Sequence, residues 1–134
     1  MDNRFVWATL AAFVVAFALC AVFHGWILFP NYIALPAVYR APEFDAFRFI
    51  LLILAWLVMA ASMVALYRFG VEDKPYLGQG LRFGLLAAGV SAVPYNLFWY
   101  VGTNISGMLA IKQLILEAII VVAMGVVIAW FYRK

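Results

Sequence analysis

The stretch Met108–Phe131, MLAIKQLILEAIIVVAMGVVIAWF, decides what kind of chain this is. Its 24 residues hold two charges, Lys112 and Glu117, and no proline. A helix rises 1.5 Å per residue, so ~20 apolar residues cross ~30 Å of hydrocarbon. A helix at the surface of a soluble domain would show a polar stripe along one side. This one shows none. Three further blocks of the same character precede it, Phe5–Phe29, Phe47–Phe69 and Arg82–Gly102. With 69% hydrophobic and 11% charged residues, the chain lies far outside the composition of a soluble domain. The expected fold is an all-α membrane protein, a four-transmembrane-helix bundle with short loops. One transmembrane domain spans 1–134, with helices at about 5–29, 47–69, 82–102 and 108–131.

Charge orients the bundle. Arg4, Arg68, Lys74, Arg82, Arg133 and Lys134 fall on one side; Arg40, Arg48 and Lys112 fall on the other. Basic residues collect on the cytoplasmic side, so both termini are expected in the cytoplasm. The net charge of +3 then reflects topology rather than nucleic acid, which is not an expected partner. Aromatic residues mark both interfaces: Trp7, Tyr67, Trp130 and Tyr132 inside; Trp26, Tyr32, Tyr39, Trp99 and Tyr100 outside. The first block runs too long for a secretory signal and lacks a small-residue cleavage site, so it is read as a retained helix. The lone Cys20 forms no internal disulfide, and Phe17 and Leu19 before it do not suit a lipoprotein signal.

The connections differ in kind. Pro30–Ala46 holds Pro30, Pro36 and Pro42 among many apolar and aromatic residues. Prolines oppose a long helix and apolar side chains oppose free solvation, so this segment should lie along the outer interface or fold back over the bundle mouth. Gly70–Leu81 reads as a compact polar turn. Its continuation to Gly84 superficially suggests a phosphate loop, but no strand precedes it and no P-loop lysine follows. The tight connection Thr103–Gly107 makes the last two helices antiparallel neighbours. Rows of small residues mark packing faces: Gly84, Ala88 and Ala92 on the third helix, and Ala8, Ala12 and Ala16 on the first. Pro94 should kink the third helix and free the carbonyl of Val90.

Four polar residues stand out inside the apolar blocks: His24, Asn96, Gln113 and Glu117. His24 and Asn96 each lie six residues from the outer end of their helix, ~9 Å deep. Glu117 lies deeper, and an acid there must be paired, hydrated or protonated. Gln113 shares its face, whereas Lys112 is rotated ~140° away and should snorkel outward. The partner of Glu117 must therefore come from another helix, with His24 and Asn96 at suitable depth. The set serves either as a structural network or as a proton- or substrate-handling site. Cys20 and His24 share a face, and Met59, Met63 or Met108 could add thioether ligands, yet no metal motif accompanies them. One His and the scattered Ser62 and Ser91 make no recognisable triad.

The strings His24–Leu28, Tyr39–Glu43 and Lys74–Gly84 resemble those of small four-helix inner-membrane proteins of bacteria with no established activity. That resemblance implies only the architecture, and the expected location is the bacterial inner membrane. The glutamate-bearing helix differs from that of the small multidrug-resistance exporters, whose essential Glu lies in the first helix. The leading expectation is a non-enzymatic polytopic membrane protein, working as a homo-oligomer or as an accessory subunit of a larger membrane complex. A small transporter or channel lined by His24, Asn96 and Glu117 comes second, and a heme- or metal-binding protein third. The sequence names no cofactor.

Overall fold

Three short polar caps set where helices begin. Asp2 accepts from Arg4 N at 3.0 Å, Asp45 from Arg48 N at 3.2 Å, and Ser106 from Leu109 N at 3.2 Å. Each oxygen satisfies a backbone N–H that the first turn leaves without a partner. The computed structural model describes residues 2–133, so Lys134 of the charge count lies outside the described residues. The regular structure of the described residues is all helical, with no strand. The helices are α1 (Asn3–Val22), α2 (Phe29–Ile33), α3 (Ala46–Phe69), α4 (Tyr76–Val90), α5 (Ala92–Gly102) and α6 (Gly107–Phe131). A π-helical turn, Phe23–Ile27, prolongs α1.

Among the described residues, four stretches are long and apolar enough to cross a membrane: Asn3–Ile27, Ala46–Phe69, Tyr76–Gly102 and Gly107–Phe131. Their outer surfaces are largely apolar, with exposed charges confined to positions near the helix ends; Phe69, Val101, Val90 and Phe98 are 90%, 85%, 80% and 76% exposed. A water-soluble monomer rarely presents apolar surface so continuously.

The third stretch departs from expectation at both its start and its middle. It begins at Tyr76, six residues before Arg82, so Gly78 and Gly80 are helical and the polar turn shrinks to Gly70–Pro75. The cause is Gln79. Its Oε1 accepts from Glu72 N at 2.9 Å, while its Nε2 donates to the carbonyls of Glu72 (2.7 Å) and Lys74 (2.8 Å). Together with the Lys74–Glu72 ion pair, these bonds close the turn beneath the first turn of α4. In the middle, a full break replaces the expected kink at Pro94. The break falls at Ser91, three residues earlier, with φ −120° and ψ −77°. The Pro94 ring opposes a helical carbonyl four residues back, so the chain leaves the helix just beyond Val90. Ser91 N then bonds Ala88 O, and the Ser91 hydroxyl donates to Ala87 O at 2.7 Å. The carbonyl satisfied by a side chain is thus Ala87, not Val90.

At the centre stands α6, packed most extensively on α4 and then on α1. The α4–α6 contact is backbone on backbone. A methyl group on Gly84 would lie 2.6 Å from Val122 Cα, and one on Gly80 would lie 2.7 Å from Val126 Cα. Gly125 faces them from α6, where a methyl would meet Gly84 Cα at 2.7 Å. Gly84, Ala88 and Ala92 are all buried, as are Ala8, Ala12 and Ala16 of α1. Where expulsion from water supplies no force, such close approach provides the van der Waals contact that holds helices together. By contrast, α3 packs mainly on α1 and touches α4 through Tyr67 and Phe83, whose rings meet edge-on at 5.1 Å.

Both chain ends lie together, with the Arg4 guanidinium 5.8 Å from the Tyr132 ring. At the opposite end the proline-rich connection folds back over the helices. Tyr32, Leu35, Val38 and Tyr39 pack on a small core of Leu28, Ile105 and Leu109. The short helix α2 begins within it because Pro30 occupies a first-turn position, where its missing N–H costs nothing.

Candidate functional site

His24 sits in the π-helical turn at the end of α1. Leu28 N reaches back five residues to Phe23 O at 2.8 Å. Pro30 has no N–H for a regular continuation, and the widened turn accommodates the change of direction before it. The His24 ring faces two groups. Its Nδ1 is 2.6 Å from Tyr32 OH, and its Nε2 is 3.7 Å from Glu117 Oε1.

Asn96 is held by the break in the third stretch. It lies on the first full turn of α5, where its Nδ2 donates to Ala92 O at 2.8 Å and to Glu117 Oε2 at 2.7 Å. Glu117 therefore accepts from α5 while facing the histidine of the π-turn. The residue is half-buried, and Asn96 is buried. Gln113, one turn before Glu117, does not touch it directly. Its Nε2 donates to Tyr39 OH at 3.0 Å and to Tyr32 OH at 3.4 Å. Trp99 Nε1 donates to the same Tyr39 hydroxyl at 3.4 Å. The four sequence-selected residues thus join one network, with Tyr32 as the link between Gln113 and His24. Lys112 stays apart, exposed on α6.

The contacts are compatible with a directed chain of donors. One assignment of protons has Tyr32 OH accepting from Gln113 Nε2 and donating its own proton to His24 Nδ1. Nε2 then carries the imidazole proton and presents it to Glu117. Burial raises the Tyr32 pKa to about 12, so Tyr32 remains a donor at neutral pH. Gln113 Oε1 is buried and has no partner, leaving one acceptor of the network unmet.

Sequence reasoning placed Tyr32, Tyr39 and Trp99 in an interfacial aromatic belt; the structure turns them inward instead. The Tyr32 and Tyr39 rings lie 4.5 Å apart, and Trp99 is 6.3 Å from Tyr39. The available signal was the apolar, proline-rich connection itself, and of its two expected placements the structure shows the fold over the helix ends. Trp26 and Tyr100 remain exposed.

Beside the network a groove of about 160 Å³ opens on the flank of the bundle. Trp56 and Met59 of α3 form one wall, Ser91, Ala92 and Tyr95 the other, with Glu117 and Val121 of α6 between them. Among the described residues, no three His, Cys, Asp or Glu side chains converge to hold a metal ion. Compared with protein families, with curated proteins and with solved structures, the chain matches none.

Proposed function

We propose that the chain is a small polytopic membrane protein with four spans and both termini in the cytoplasm, and that Glu117, His24 and Asn96 form an intramembrane site that takes up and releases a proton or small cation. One observation carries this reading: hydrogen bonds run from the proline-rich connection through Tyr32 to His24, which faces Glu117. A charged carboxylate at mid-membrane costs about 3 kcal/mol on insertion scales, so a merely structural role would favour closing it off on all sides. Here one oxygen is bonded to Asn96, while the other has His24 at a distance longer than a hydrogen bond. A movement of about 0.5 Å brings that pair within proton-transfer reach. Tyr32 then gives its proton to Nδ1 as Nε2–H passes to Oε1, and Tyr32 is reprotonated from the aqueous side.

The test is proton uptake by proteoliposomes containing the purified protein, driven by a potassium diffusion potential and read by an enclosed pH-sensitive dye. Wild type should acidify the lumen faster than empty vesicles. Glu117→Gln should abolish the difference, and Tyr32→Phe should slow it several-fold. A wild-type rate equal to that of empty vesicles, or a Glu117→Gln rate equal to wild type, would refute the reading.

A second reading, assembly as a homo-oligomer or as an accessory subunit of a bacterial inner-membrane complex, draws support from α3. Phe47, Ile50 and Leu54 on it are exposed, and it rests mainly on one neighbour. The mass of the protein extracted in mild detergent tests it: a strictly monomeric mass with no associated subunit would count against assembly.

A further inference from the structure

We propose that the groove between α3 and the α4–α5 junction admits an organic ammonium ion with an apolar tail, which enters sideways from the bilayer and places its charge on Glu117. The inference rests on the intramembrane site above and names what that site binds.

Three features select this class of ligand. The first is access. The groove opens between helices on the flank of the bundle, where α3 leans mainly on α1 and touches α4 through Tyr67 and Phe83. An occupant thus comes from the hydrocarbon layer and needs an apolar body. The second is charge. Glu117 lines the groove with its side chain partly exposed, and its Oε1 retains acceptor capacity because His24 stands 3.7 Å away. No basic side chain lines the groove, so an anion finds no complement there. The third is the walls. Trp56 and Tyr95 offer aromatic faces and Met59 a polarizable thioether, surfaces that attract a cation and also accommodate its first methylenes. A volume of about 160 Å³ holds an ammonium group and a short stem, while the rest of the tail stays in lipid.

The break at Ser91 contributes to this geometry. It ends α4 at Val90 and re-aims α5, so that Tyr95 lines the groove while Asn96, the next residue, turns inward to Glu117. Proton and ammonium compete for the same oxygen. When Glu117 begins protonated, each ammonium bound releases one proton, and the charge at the carboxylate stays balanced.

The experiment titrates octylammonium, and separately octanol, into the protein in lipid nanodiscs by calorimetry, with empty nanodiscs subtracted. Octylammonium should bind saturably at one site per chain, and octanol should not. Glu117→Gln should weaken octylammonium at least tenfold. Met59→Trp, which fills the groove, should do the same. Tyr95→Ala removes a mostly exposed wall, provides a variant that should fold if Met59→Trp does not, and should weaken binding several-fold. Equal binding of octanol would identify the groove as a seat for lipid chains and overturn the proposal. So would unchanged binding by Glu117→Gln, or no saturable binding by wild type. Wild type that acidifies proteoliposomes but fails to bind octylammonium would sink this inference alone. Proton uptake that survives Glu117→Gln would sink the underlying reading.

Discussion

Gly84→Ala adds a single methyl group at the tightest of the glycine contacts. That methyl would sit 2.6 Å from Val122 Cα and 2.9 Å from Val122 O, whereas ordinary contact begins at 3.4 Å. The two backbones must therefore part by about 0.8 Å, and backbone atoms have no rotamer with which to give way. Overpacking of this kind costs ~1–3 kcal/mol, and a rigid backbone contact belongs at the upper end. Alanine in a helix recovers ~1 kcal/mol relative to glycine. The net loss is about 2 kcal/mol. Gly89 supplies the control, because it lies on the same helix with nothing within 4 Å of the added methyl. Gly89→Ala should gain up to ~1 kcal/mol, so the two variants should differ by about 3 kcal/mol. For a chain of this size that is ~10 °C in melting temperature. Thermal melting in mild detergent, followed by tryptophan fluorescence, measures the difference. Equal melting temperatures for the two variants would refute the backbone contact between α4 and α6.

One turn further along the same row, Ala88→Leu should lower the melting temperature more than Gly84→Ala, because a four-carbon side chain must enter a site that is 3% exposed. Gln79→Ala removes three hydrogen bonds from the turn before α4 and should cost ~1–3 kcal/mol, with a glutamate-specific protease cutting after Glu72 in the variant at concentrations that spare wild type. Glu117→Leu should destabilise by leaving Asn96 Nδ2 short of a partner, while Glu117→Gln should melt close to wild type, so loss of proton uptake in the amide variant reports function rather than folding. A C-terminal alkaline phosphatase fusion should be inactive and a fluorescent-protein fusion bright; the opposite pattern would invert the proposed orientation of every polar group.

The helices were legible because apolar length is a local property. Met108–Phe131 needs no partner to declare itself, and neither do the other three blocks. Boundaries were less legible. The start of α4 depended on Gln79, whose three bonds reach back across the turn, and a side chain reaching backward leaves no periodic trace. Gly80 therefore read as turn punctuation, although it packs against Val126 as part of the α4–α6 contact. Pro94 announced an interruption, yet the break took shape at Ser91, where a hydroxyl could answer a carbonyl.

The sequence by itself determined four apolar helices, their approximate order and the three helices that carry polar groups at similar depth. Each of these follows from composition along a single element. Only the tertiary structure decided which groups meet: that Asn96 rather than His24 makes the short bond to Glu117, and that Tyr32 and Tyr39 fold inward to reach His24 and Gln113. It also decided that α3 stands off far enough to leave a groove beside the carboxylate. The physical reason is that hydropathy is summed along one helix, whereas a hydrogen bond depends on the rotation and separation of two. Those are set by glycine contacts, a π-turn and a helix break acting together.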